Sequence, residues 1–380
     1  MRILMLNYEF PPLGGGGGKQ SMYLAKEYAK NHDVYFLTTG YKEFGIKKKD
    51  GYVLDRLKTS RKNTLYCSNK EMMQYLIKAW KKIPEIVRGF KPDVVHLFFT
   101  IPTGLLTFHP KLKKTPYIVS VRGSDVPGHN PDRFSLMYKV LTPTVKKIWR
   151  DAKTVVCNSE DLRKEVLKIS PRLKVKVIPN GIDTDKFKPR KRKSKNEKNK
   201  NEIRLLYAGR LIPLKRIDLI IRALPGVIRN NDKKIVFRIV GSGSEEKNLR
   251  NLVKELNIEK YVEFRGEVDY REIHKEYQDS DIYIQMSKVE GMSNTILEAM
   301  ACGLPIITTD VGGAKKFVQG NGTIVDPKSS NNLSNILSRY LKDSDIMTNQ
   351  GIKSLVVAKK MTFNLSFKKY EEYICAIKKI

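Results

Sequence analysis

The feature that most constrains this chain is an alternation of short apolar runs with amphipathic stretches, which occurs twice along its length. The first series occupies residues 1–189, and a second series begins at residue 203. Apolar runs rich in β-branched residues and separated by helical stretches are typical of parallel strands covered on both faces. The runs lie at residues 3–6, 34–37, 94–98, 117–121, 154–157, 203–209, 235–241, 281–285 and 305–309. The alternation therefore predicts an α/β fold.

The two series are separated by residues 190–202 (RKRKSKNEKNKNE), which contain no apolar side chain. Because such a segment cannot bury enough surface to order itself, we interpret it as a basic polar linker. A nuclear-localisation signal or a nucleic-acid-binding tail is the alternative. The sequence predicts two Rossmann-like domains with parallel sheets facing a central cleft, over residues 1–189 and 203–362. A C-terminal helix at about residues 363–380 is expected to pack back on the first domain.

The net charge is unusually high: 72 Lys and Arg against 40 Asp and Glu give +32 over 380 residues. Residues 1–189 carry +19, the linker +5 and the remainder +8. Such an excess suggests a polyanionic partner, which could be nucleic acid, an anionic membrane surface or a phosphorylated substrate. The alternative is a lysine-rich composition with solvated faces, because Lys outnumbers Arg 51 to 21.

The expected location is the cytoplasm. No stretch approaches the roughly 20 apolar residues that span a bilayer, and the apolar start at residues 1–6 is too short for a signal peptide. The four cysteines form no close pair, which fits buried thiols in a reducing compartment. They are Cys67, Cys157, Cys302 and Cys375.

The most specific segment is Glu290-Gly291-Met292-Ser293-Asn294-Thr295-Ile296-Leu297-Glu298. Two glutamates eight positions apart flank a loop and the start of a helix, for which Ser293 or Asn294 is a suitable N-cap. The positive end of that helix is a ready site for a diphosphate. Glu298, about one turn inside the helix, can accept hydrogen bonds from a ribose diol. Glu290 would face the group attached to the far phosphate.

This segment resembles the Glu-x7-Glu signature of glycosyltransferase family 4, the retaining, nucleotide-sugar-dependent enzymes of GT-B fold. Further matching segments occur in the family's order and extend the resemblance over essentially the whole chain. They are the glycine run at 14–18, Cys157-Asn158-Ser159, Ile178-Pro179-Asn180-Gly181-Ile182-Asp183, Ala208-Gly209-Arg210-Leu211 with Lys215, Val240-Gly241-Ser242-Gly243 and Phe264-Arg265-Gly266. The resemblance implies a glycosyltransferase that binds its donor with the second domain, through Gly291, Met292, Ser293, Asn294, Thr295 and Glu298.

Arg210 and Lys215 are the candidates for stabilising the leaving group. Arg210 follows a predicted strand and a glycine, where α/β folds present ligand-binding groups. A nucleotide-sugar leaves as a nucleoside diphosphate, and one Arg and one Lys directed at it would neutralise the charge that develops. The family uses this pair in that role without a required metal, with Glu290 orienting the donor sugar. The five histidines form no ligand-spaced cluster, so no metal or other cofactor is expected.

Two glycine-rich turns complete the donor-side prediction. The run at 14–18, which includes Gly15 and Gly16, lets backbone approach a phosphate or sugar because glycine has no Cβ. A loop without a ligand is the alternative. The turn Gly241-Ser242-Gly243 lacks the third glycine of the dinucleotide fingerprint, so it is a weak signal for NAD. The resemblance places Gly241 beside the nucleotide base.

The acceptor side is predicted from Arg122-Gly123-Ser124-Asp125-Val126-Pro127-Gly128-His129, which follows a strand of the first domain. Many family members have His where this chain has Arg122. Arg cannot deprotonate an acceptor hydroxyl, although it can steady a phosphate. Asp125 or His129 could assist, or His129 could be a structural loop residue. His96 and Asp93 are interpreted as strand-edge residues.

The expected activity is transfer of a sugar from a nucleoside-diphosphate-sugar to a sugar or lipid-linked acceptor, in cell-surface polysaccharide, lipopolysaccharide or glycolipid synthesis. A basic acceptor-side domain fits docking on an anionic cytoplasmic leaflet. The alternatives are a nucleotide-sugar epimerase or hydrolase with the same fold and a nucleic-acid-binding protein. No RRM, KH or zinc-finger signature occurs, so no nucleic-acid partner is expected.

Overall fold

The computed structural model describes residues 1–64, 66–129, 135–190, 202–231, 233–326 and 330–377. Contacts divide the chain into two compact units: unit 1 is Met1–Gly181 with Phe363–Ile380, and unit 2 is Ile182–Thr362. Of the segment predicted as a linker, residues 191–201 lie outside the described residues.

Unit 1 is built on a parallel sheet flanked by helices. Its strands are β1 (Arg2–Leu6), β2 (Asp33–Thr39), β3 (Gly45–Lys49), β4 (Tyr52–Leu57), β5 (Val94–Phe98), β6 (Tyr117–Val121), β7 (Thr154–Cys157) and β8 (Val175–Val177). Its first helices are α1 (Gly16–Tyr28), α2 (Asn69–Phe90), α3 (Ser135–Asp151) and α4 (Glu160–Ile169). The strand order is β3-β4-β2-β1-β5-β6-β7-β8, and each neighbouring pair is parallel except β3 with β4. The apolar runs predicted in this half of the chain are the buried central strands.

Helix α2 shows how local sequence sets an element's ends. Ser68 caps its N-terminus in a capping box with Glu71, in which each side chain accepts from the other residue's backbone N–H. Lys91, in the left-handed conformation, ends the helix. One face of α2 packs into the unit 1 core through Met72, Tyr75, Ala79, Ile83 and Ile86.

Unit 2 has an all-parallel sheet with the strand order β11-β10-β9-β12-β13-β14. Its strands are β9 (Glu202–Ala208), β10 (Lys234–Val240), β11 (Val262–Gly266), β12 (Ile282–Gln285), β13 (Ile306–Thr309) and β14 (Gly322–Val325). Its helices are α5 (Ile217–Arg229), α6 (Glu246–Glu255), α7 (Ile273–Gln278), α8 (Asn294–Ala301), α9 (Ala314–Phe317), α10 (Ser330–Lys342) and α11 (Ser344–Lys359).

Both faces of the unit 2 sheet are covered. Leu205 and Tyr207 of β9 belong to one apolar cluster, whereas Leu206 and Ala208 belong to another, as the alternation of side chains along a strand requires. The chain passes from β9 to β10 on one side and reaches β12 on the other. The topological switch point therefore lies between β9 and β12, where α/β folds bind ligands at the carboxyl ends of the strands.

The chain leaves unit 1 at Gly181, eight residues before the predicted boundary, because residues 182–189 pack on unit 2. Ile182 forms a parallel bridge with Thr362, and Phe187 is buried against the rings of Tyr270 and Tyr277. The last helix, α12 (Phe363–Ile377), belongs to unit 1.

Several side-chain interactions hold α12 on unit 1, among them those of Phe363, Ser366 and Tyr370. The ring of Phe363 stacks on Tyr23 of α1 with ring centroids 4.1 Å apart. The hydroxyl of Ser366 donates to the carbonyl of Pro179 at 2.9 Å. Tyr370 is buried and contacts polar groups of the sheet, as described below. No helix within the described ranges has both the length and the apolar character needed to cross a membrane.

Candidate active site

A cluster of polar side chains lies at the carboxyl ends of β9 and β12, the switch point of unit 2. The short turn Pro213–Lys215 after β9 directs Lys215 to Glu290, and the two largely buried side chains form an ion pair between Nζ and Oε1. The same glutamate oxygen accepts hydrogen bonds from Gln285 Nε2 at 3.0 Å and Ser287 Oγ at 2.8 Å. Three donors therefore fix the orientation of the Glu290 carboxylate.

Gln285, the last residue of β12, connects this ion pair to the N-terminus of α8. Its Nε2 donates to Glu290, and its Oε1 accepts from Ser293 Oγ at 2.8 Å and Thr295 Oγ1 at 3.1 Å. The hydroxyl of Tyr283 lies 2.7 Å from Thr295 Oγ1. Gln285 and Ser287 are not among the site residues predicted from the sequence. The available signal was a polar residue ending an otherwise apolar strand at the ligand-binding edge.

Helix α8 presents its N-terminus beside this cluster. Ser293 is its N-cap and accepts from the N–H of Ile296, so of the two predicted caps the serine is used. Met292 is buried in the unit 2 core, whereas Asn294 is the first helical residue. Gly291 lies against Gly312. A Cβ added to Gly312 would come 2.8 Å from Glu290 Cβ. The loop that precedes α8 is thus held in place, and the positive end of the α8 dipole lies at this loop.

Glu298 is buried inside α8. Its Oε2 accepts a hydrogen bond from the hydroxyl of Tyr277 at 2.7 Å. Burial, followed by the nearby Glu298 charge, raises the pKa of Tyr277 well above its ordinary value, so this hydroxyl keeps its proton and remains a donor. Tyr277 therefore holds the Glu298 side chain in one orientation.

Arg210 follows β9 and is half-buried. Its carbonyl accepts a hydrogen bond from the Tyr207 hydroxyl at 2.9 Å. Within the described ranges its guanidinium makes no hydrogen bond or ion pair. Burial is the main cause that raises the pKa of Tyr207 well above its ordinary value; Glu290 adds to the rise and Arg210 opposes it. The Glu290 and Arg210 side chains are therefore both close enough to Tyr207 to change its pKa.

Gly241 is required by a close approach between two strand ends. It has φ of +128°, and an added Cβ would lie 1.9 Å from the carbonyl oxygen of Gly209. The N–H of Gly209 donates to Val240, and that of Leu211 donates to Ser242, so the loops after β9 and β10 are joined through their backbones. The glycines at these positions let the two loops form one continuous edge.

The glycine run of unit 1 differs from its prediction as a loop, because α1 begins at Gly16 and includes Gly17 and Gly18. An added Cβ at Gly17 would lie 2.5 Å from the Phe99 ring, so close helix packing explains that glycine. Gly15, the N-cap, is open, with nothing within 4 Å of an added Cβ. Its N–H donates to Glu9 Oε2 at 3.3 Å.

The three acceptor-side candidates lie together in the loop after β6, and each is bonded within unit 1. Asp125 is buried and accepts from the N–H groups of Thr100, Arg122 and Gly123 and from the Thr100 hydroxyl. Burial outweighs these bonds and raises its pKa. The Nδ1 of His129 lies 2.5 Å from Glu165 Oε2.

Arg122 is held by partners from distant parts of unit 1. Its guanidinium donates to Asn180 Oδ1 at 2.8 Å and to the Tyr370 hydroxyl at 3.2 Å. The same group lies over the Phe98 ring at 4.9 Å from the centroid. Two hydrogen bonds and a cation–π contact therefore fix this side chain.

His96 is not a strand-edge residue, because β5 is a central strand and the imidazole is fully buried. Its Nδ1 lies 3.2 Å from the Tyr28 hydroxyl and its Nε2 lies 2.8 Å from Ser120 Oγ. Ser120 Oγ in turn donates to the hydroxyl of Tyr370 at 3.0 Å. Burial, with a smaller contribution from Arg122, lowers the pKa of His96 well below its ordinary value. Asp93, the other predicted strand-edge residue, pairs with Arg2 at 2.9 Å.

Unit 2 has room for a ligand beside the Glu290 cluster. A cavity of about 860 Å³ lies at the carboxyl ends of β12 and β13 and is lined by Arg216, Ser287, Lys288 and Thr309, among others. Ser287 joins it to the Glu290 cluster, whereas Arg210, Lys215 and Glu290 do not line it. This volume is within the range of small-molecule sites, about 300–1,000 Å³. The described part of the chain contains no group of three or more His, Cys, Asp or Glu side chains arranged to hold a metal ion.

Comparison with known proteins agrees with this geometry. The family model "Glycosyltransferase Family 4" matches residues 14–186, and "Glycosyl transferases group 1" matches residues 188–354. An uncharacterized glycosyltransferase of Methanocaldococcus jannaschii, MJ1607, is 28% identical over 360 residues, covering 90% of each chain.

Solved structures share the fold. Sucrose-phosphate synthase from Thermosynechococcus elongatus superposes with a TM-score of 0.85 at 19% identity, covering 100% of both chains. HepE of Anabaena, in complex with UDP-glucose, superposes with a TM-score of 0.74 at 18% identity, covering 99% of this chain and 100% of HepE. The fold and the two family models define a GT-B glycosyltransferase that acts on nucleotide-sugar donors. The chain belongs to glycosyltransferase family 4.

Proposed function

We propose that this glycosyltransferase retains the configuration of the transferred sugar and moves it from a nucleoside diphosphate to an acceptor hydroxyl. The observation that carries the proposal is the arrangement of Lys215, Glu290 and Arg210 at the switch point of unit 2, beside the N-terminus of α8. A cation fixed on a carboxylate, a second cation without a side-chain partner in the described part of the chain and a helix dipole together suit a substrate with a diphosphate and an adjoining sugar.

The reaction is proposed to be a same-face displacement through an oxocarbenium-like state. The bond between the anomeric carbon and the diphosphate oxygen breaks as the acceptor oxygen attacks from the same side. Arg210 donates to the departing diphosphate, whose negative charge increases as the bond breaks, and Lys215 adds a second positive charge. Contacts that strengthen in the transition state raise kcat rather than donor affinity.

Glu290 is proposed to orient the donor sugar. Its Oε1 is occupied by Lys215, Gln285 and Ser287, whereas Oε2 makes no hydrogen bond within the described ranges. That free oxygen can accept from a sugar hydroxyl. Because three donors restrain the carboxylate, little side-chain entropy would be lost on binding.

The nucleotide is proposed to bind along the edge formed by Gly241, the loop Gly291–Thr295 and Glu298. Within unit 1, Gly15 and Gly16 at the start of α1 are proposed to let backbone approach a phosphate or sugar. The buried Glu298 carboxylate, oriented by Tyr277, is proposed to accept from the ribose hydroxyls. HepE, which shares the fold, has been crystallised with UDP-glucose, which supports a nucleotide-sugar of this class as donor.

We further propose that transfer needs no metal or other cofactor, because Arg210 and Lys215 supply the positive charge that a divalent cation would otherwise bring to the diphosphate. Turnover should then persist in EDTA. Loss of turnover in EDTA, with recovery on adding Mg²⁺ or Mn²⁺, would contradict this.

The acceptor is proposed to be a sugar or lipid-linked molecule in cell-surface polysaccharide, lipopolysaccharide or glycolipid synthesis at the cytoplasmic face of a membrane. The charge of +19 over residues 1–189 supports a partner with anionic groups. Arg122, Asp125 and His129 are proposed to shape the acceptor side through the loop after β6. Arg122 cannot serve as a base and, bonded to Asn180 and Tyr370, is proposed to hold this loop in place.

A thermal-shift screen with UDP, GDP, ADP and their sugars tests the donor, because a ligand that binds only the folded state raises Tm. One nucleotide should stand out, and its sugar should then be transferred with the anomeric configuration unchanged, as read by the NMR coupling of the anomeric proton. An inverted product would refute the retaining mechanism. Fast release of free sugar without acceptor would indicate a hydrolase instead.

A further inference from the structure

An apolar stripe is exposed on helix α2 of unit 1. Met73, Ile77 and Trp80 are 55%, 49% and 37% exposed. Their spacing of four and three residues places them on one face of the helix. Phe108, 39% exposed, ends the short turn that precedes His109, and the His109 ring lies 4.7 Å from that of Trp80. The α2 stripe is defined as these four apolar side chains, and the contact between His109 and Trp80 brings the turn that carries Phe108 next to α2.

Unpaired lysines border the α2 stripe on two sides. Lys70 and Lys81 are exposed on α2, next to Met73 and Ile77 along the helix surface. Lys111, Lys113 and Lys114 are exposed just after Phe108. None of these five side chains forms an ion pair with a carboxylate among the described residues. The nearest acidic residues along α2 are already engaged, Glu71 in the capping box and Glu85 with Lys82.

We propose that the α2 stripe and its lysine border are a docking surface for an anionic lipid bilayer. Exposed Met, Ile, Trp and Phe can enter the interface between headgroups and acyl chains, and Trp is favoured at that depth. Lysines at the border remain in the headgroup layer and attract anionic lipids. The apolar part and the charged part thus match the two layers that such a surface presents.

Two other occupants fit less well. A second copy related by a two-fold axis would bring the same unpaired lysines against each other, because a two-fold interface pairs one patch with itself. A nucleic acid would use the lysines but would leave Met73 and Ile77 without a role, since phosphate contacts are polar and base stacking uses aromatic rings. Only the bilayer uses both kinds of residue.

This inference deepens the proposed function, in that it names the surface by which unit 1 reaches a membrane-bound acceptor. Its test uses neither donor nor acceptor, so its failure would leave the transferase proposal standing. The full chain is mixed with vesicles of phosphatidylcholine alone or with about 30 mol% phosphatidylglycerol at low salt. Co-sedimentation with the anionic vesicles only is expected. Equal binding to both kinds, or to neither, would overturn the proposal.

Tryptophan emission reports which surface binds. The chain has two tryptophans: Trp149 is fully buried and bonded to Thr100, whereas Trp80 is exposed. A blue shift on adding anionic vesicles must then come from Trp80 entering an apolar layer. Sedimentation without a shift would place the contact elsewhere and refute the α2 stripe. A shift without vesicles, on raising protein concentration or adding RNA, would identify a second copy or nucleic acid instead.

Two pairs of variants complete the test. Met73→Ser with Ile77→Ser should weaken anionic-vesicle binding about tenfold while keeping Trp80 as reporter. The matched control is Ile352→Ser with Val356→Ser on α11, equally spaced and 57% and 51% exposed, which should bind like the unchanged protein. Equal losses in both pairs would refute a specific surface.

The second pair of variants removes charge: one variant has three lysine substitutions in unit 1, and its control has three in unit 2. Lys111→Gln, Lys113→Gln and Lys114→Gln together should weaken binding about 100-fold at low salt, since each lysine contributes about fivefold. The control replaces Lys254, Lys260 and Lys360 of unit 2, which are also exposed, with Gln and should leave binding unchanged. An equal loss in the control would reduce the effect to net charge alone and overturn the proposal.

Discussion

The two units carry similar sequence signals after a strand but use them differently. In unit 2, Arg210 follows Gly209 at the end of β9, and its guanidinium has no internal partner among the described residues. In unit 1, Arg122 precedes Gly123 at the end of β6, and its guanidinium is bonded to Asn180 and Tyr370. A charged residue at a strand end is thus available to a ligand only where neighbouring elements leave it without a partner.

The contrast extends to the acids. Glu290 has one carboxylate oxygen held by three donors and another that accepts no hydrogen bond from the described residues, whereas Asp125 accepts four hydrogen bonds from within unit 1. An acid that has a free oxygen can bind a substrate, and an acid whose oxygens are all occupied stabilises a loop. Substitutions in unit 2 should therefore change kinetics, and substitutions in unit 1 should change stability.

The largest effect is expected for Arg210→Ala. Loss of the cation that is proposed to contact the departing diphosphate should lower kcat by about 10²- to 10³-fold, as for removal of one preorganised donor, with little change in Tm. Steady-state kinetics and a thermal melt of the same preparation measure both. Arg222→Ala, an exposed arginine on α5, is the control and should leave kcat unchanged. A wild-type kcat in Arg210→Ala would remove this residue from the chemistry.

Asp125→Ala is the counterpart in unit 1. It leaves buried N–H groups of Thr100, Arg122 and Gly123 without an acceptor, which should cost about 3 kcal/mol or more of unfolding free energy. Chemical denaturation, followed by the emission of the buried Trp149, measures the loss. Asp151→Ala, which removes a surface carboxylate, should cost less than about 1 kcal/mol. A stable Asp125→Ala with greatly reduced kcat would assign the residue to catalysis and break the comparison.

A smaller kinetic effect is expected for Glu298, the buried acid of unit 2. Glu298→Ala should raise the apparent KM for the donor about tenfold, with kcat affected less, since it removes a contact made in both the ground state and the transition state. Tyr277→Phe, which removes only the hydroxyl that orients Glu298, should raise KM by less than Glu298→Ala. An unchanged donor KM in Glu298→Ala would show that the carboxylate serves packing alone.

The smallest effect concerns pH. The folded-state pKa of His96 lies below the unfolded value, so between the two the unfolded chain binds a proton that the folded chain does not. Stability from this residue is present above about pH 6.5 and is lost by up to about 1.4 kcal/mol per pH unit below it. Tm measured at about pH 7.5 and pH 5.5 should differ less in His96→Gln than in the unchanged protein. An equal Tm difference in His96→Gln and in the unchanged protein would exclude His96 as the titrating group.

The central strands could be predicted from the sequence because their apolar, β-branched runs are long enough to be recognised. Strand β3 could not be predicted, because its sequence Gly-Ile-Lys-Lys-Lys is exposed at an edge and has no buried face. The paired glutamates at 290 and 298 and the serine cap were predictable from local composition. The role of Gln285 was not, since it depends on contacts with residues that only the folded sheet brings near.

Arg122 illustrates the same limit over a longer distance. Its residue type and position after a strand matched a substrate-contacting group, yet its bonding partner Tyr370 lies 248 positions away on α12. No local pattern reports such a contact. The glycines at 17 and 241 are similar, because the Phe99 ring and the Gly209 carbonyl that require them come from other elements.

The return of α12 to unit 1 has a consequence for biosynthesis. Unit 1 is translated first, but residues 363–377, which supply Tyr370 to Ser120 and Arg122, leave the ribosome only after the whole of unit 2. Unit 2 is continuous in the chain and can complete its core while the nascent chain is still tethered. The half that is made first is therefore the half that finishes folding last, and until then the α12-binding face of unit 1 is open to chaperones.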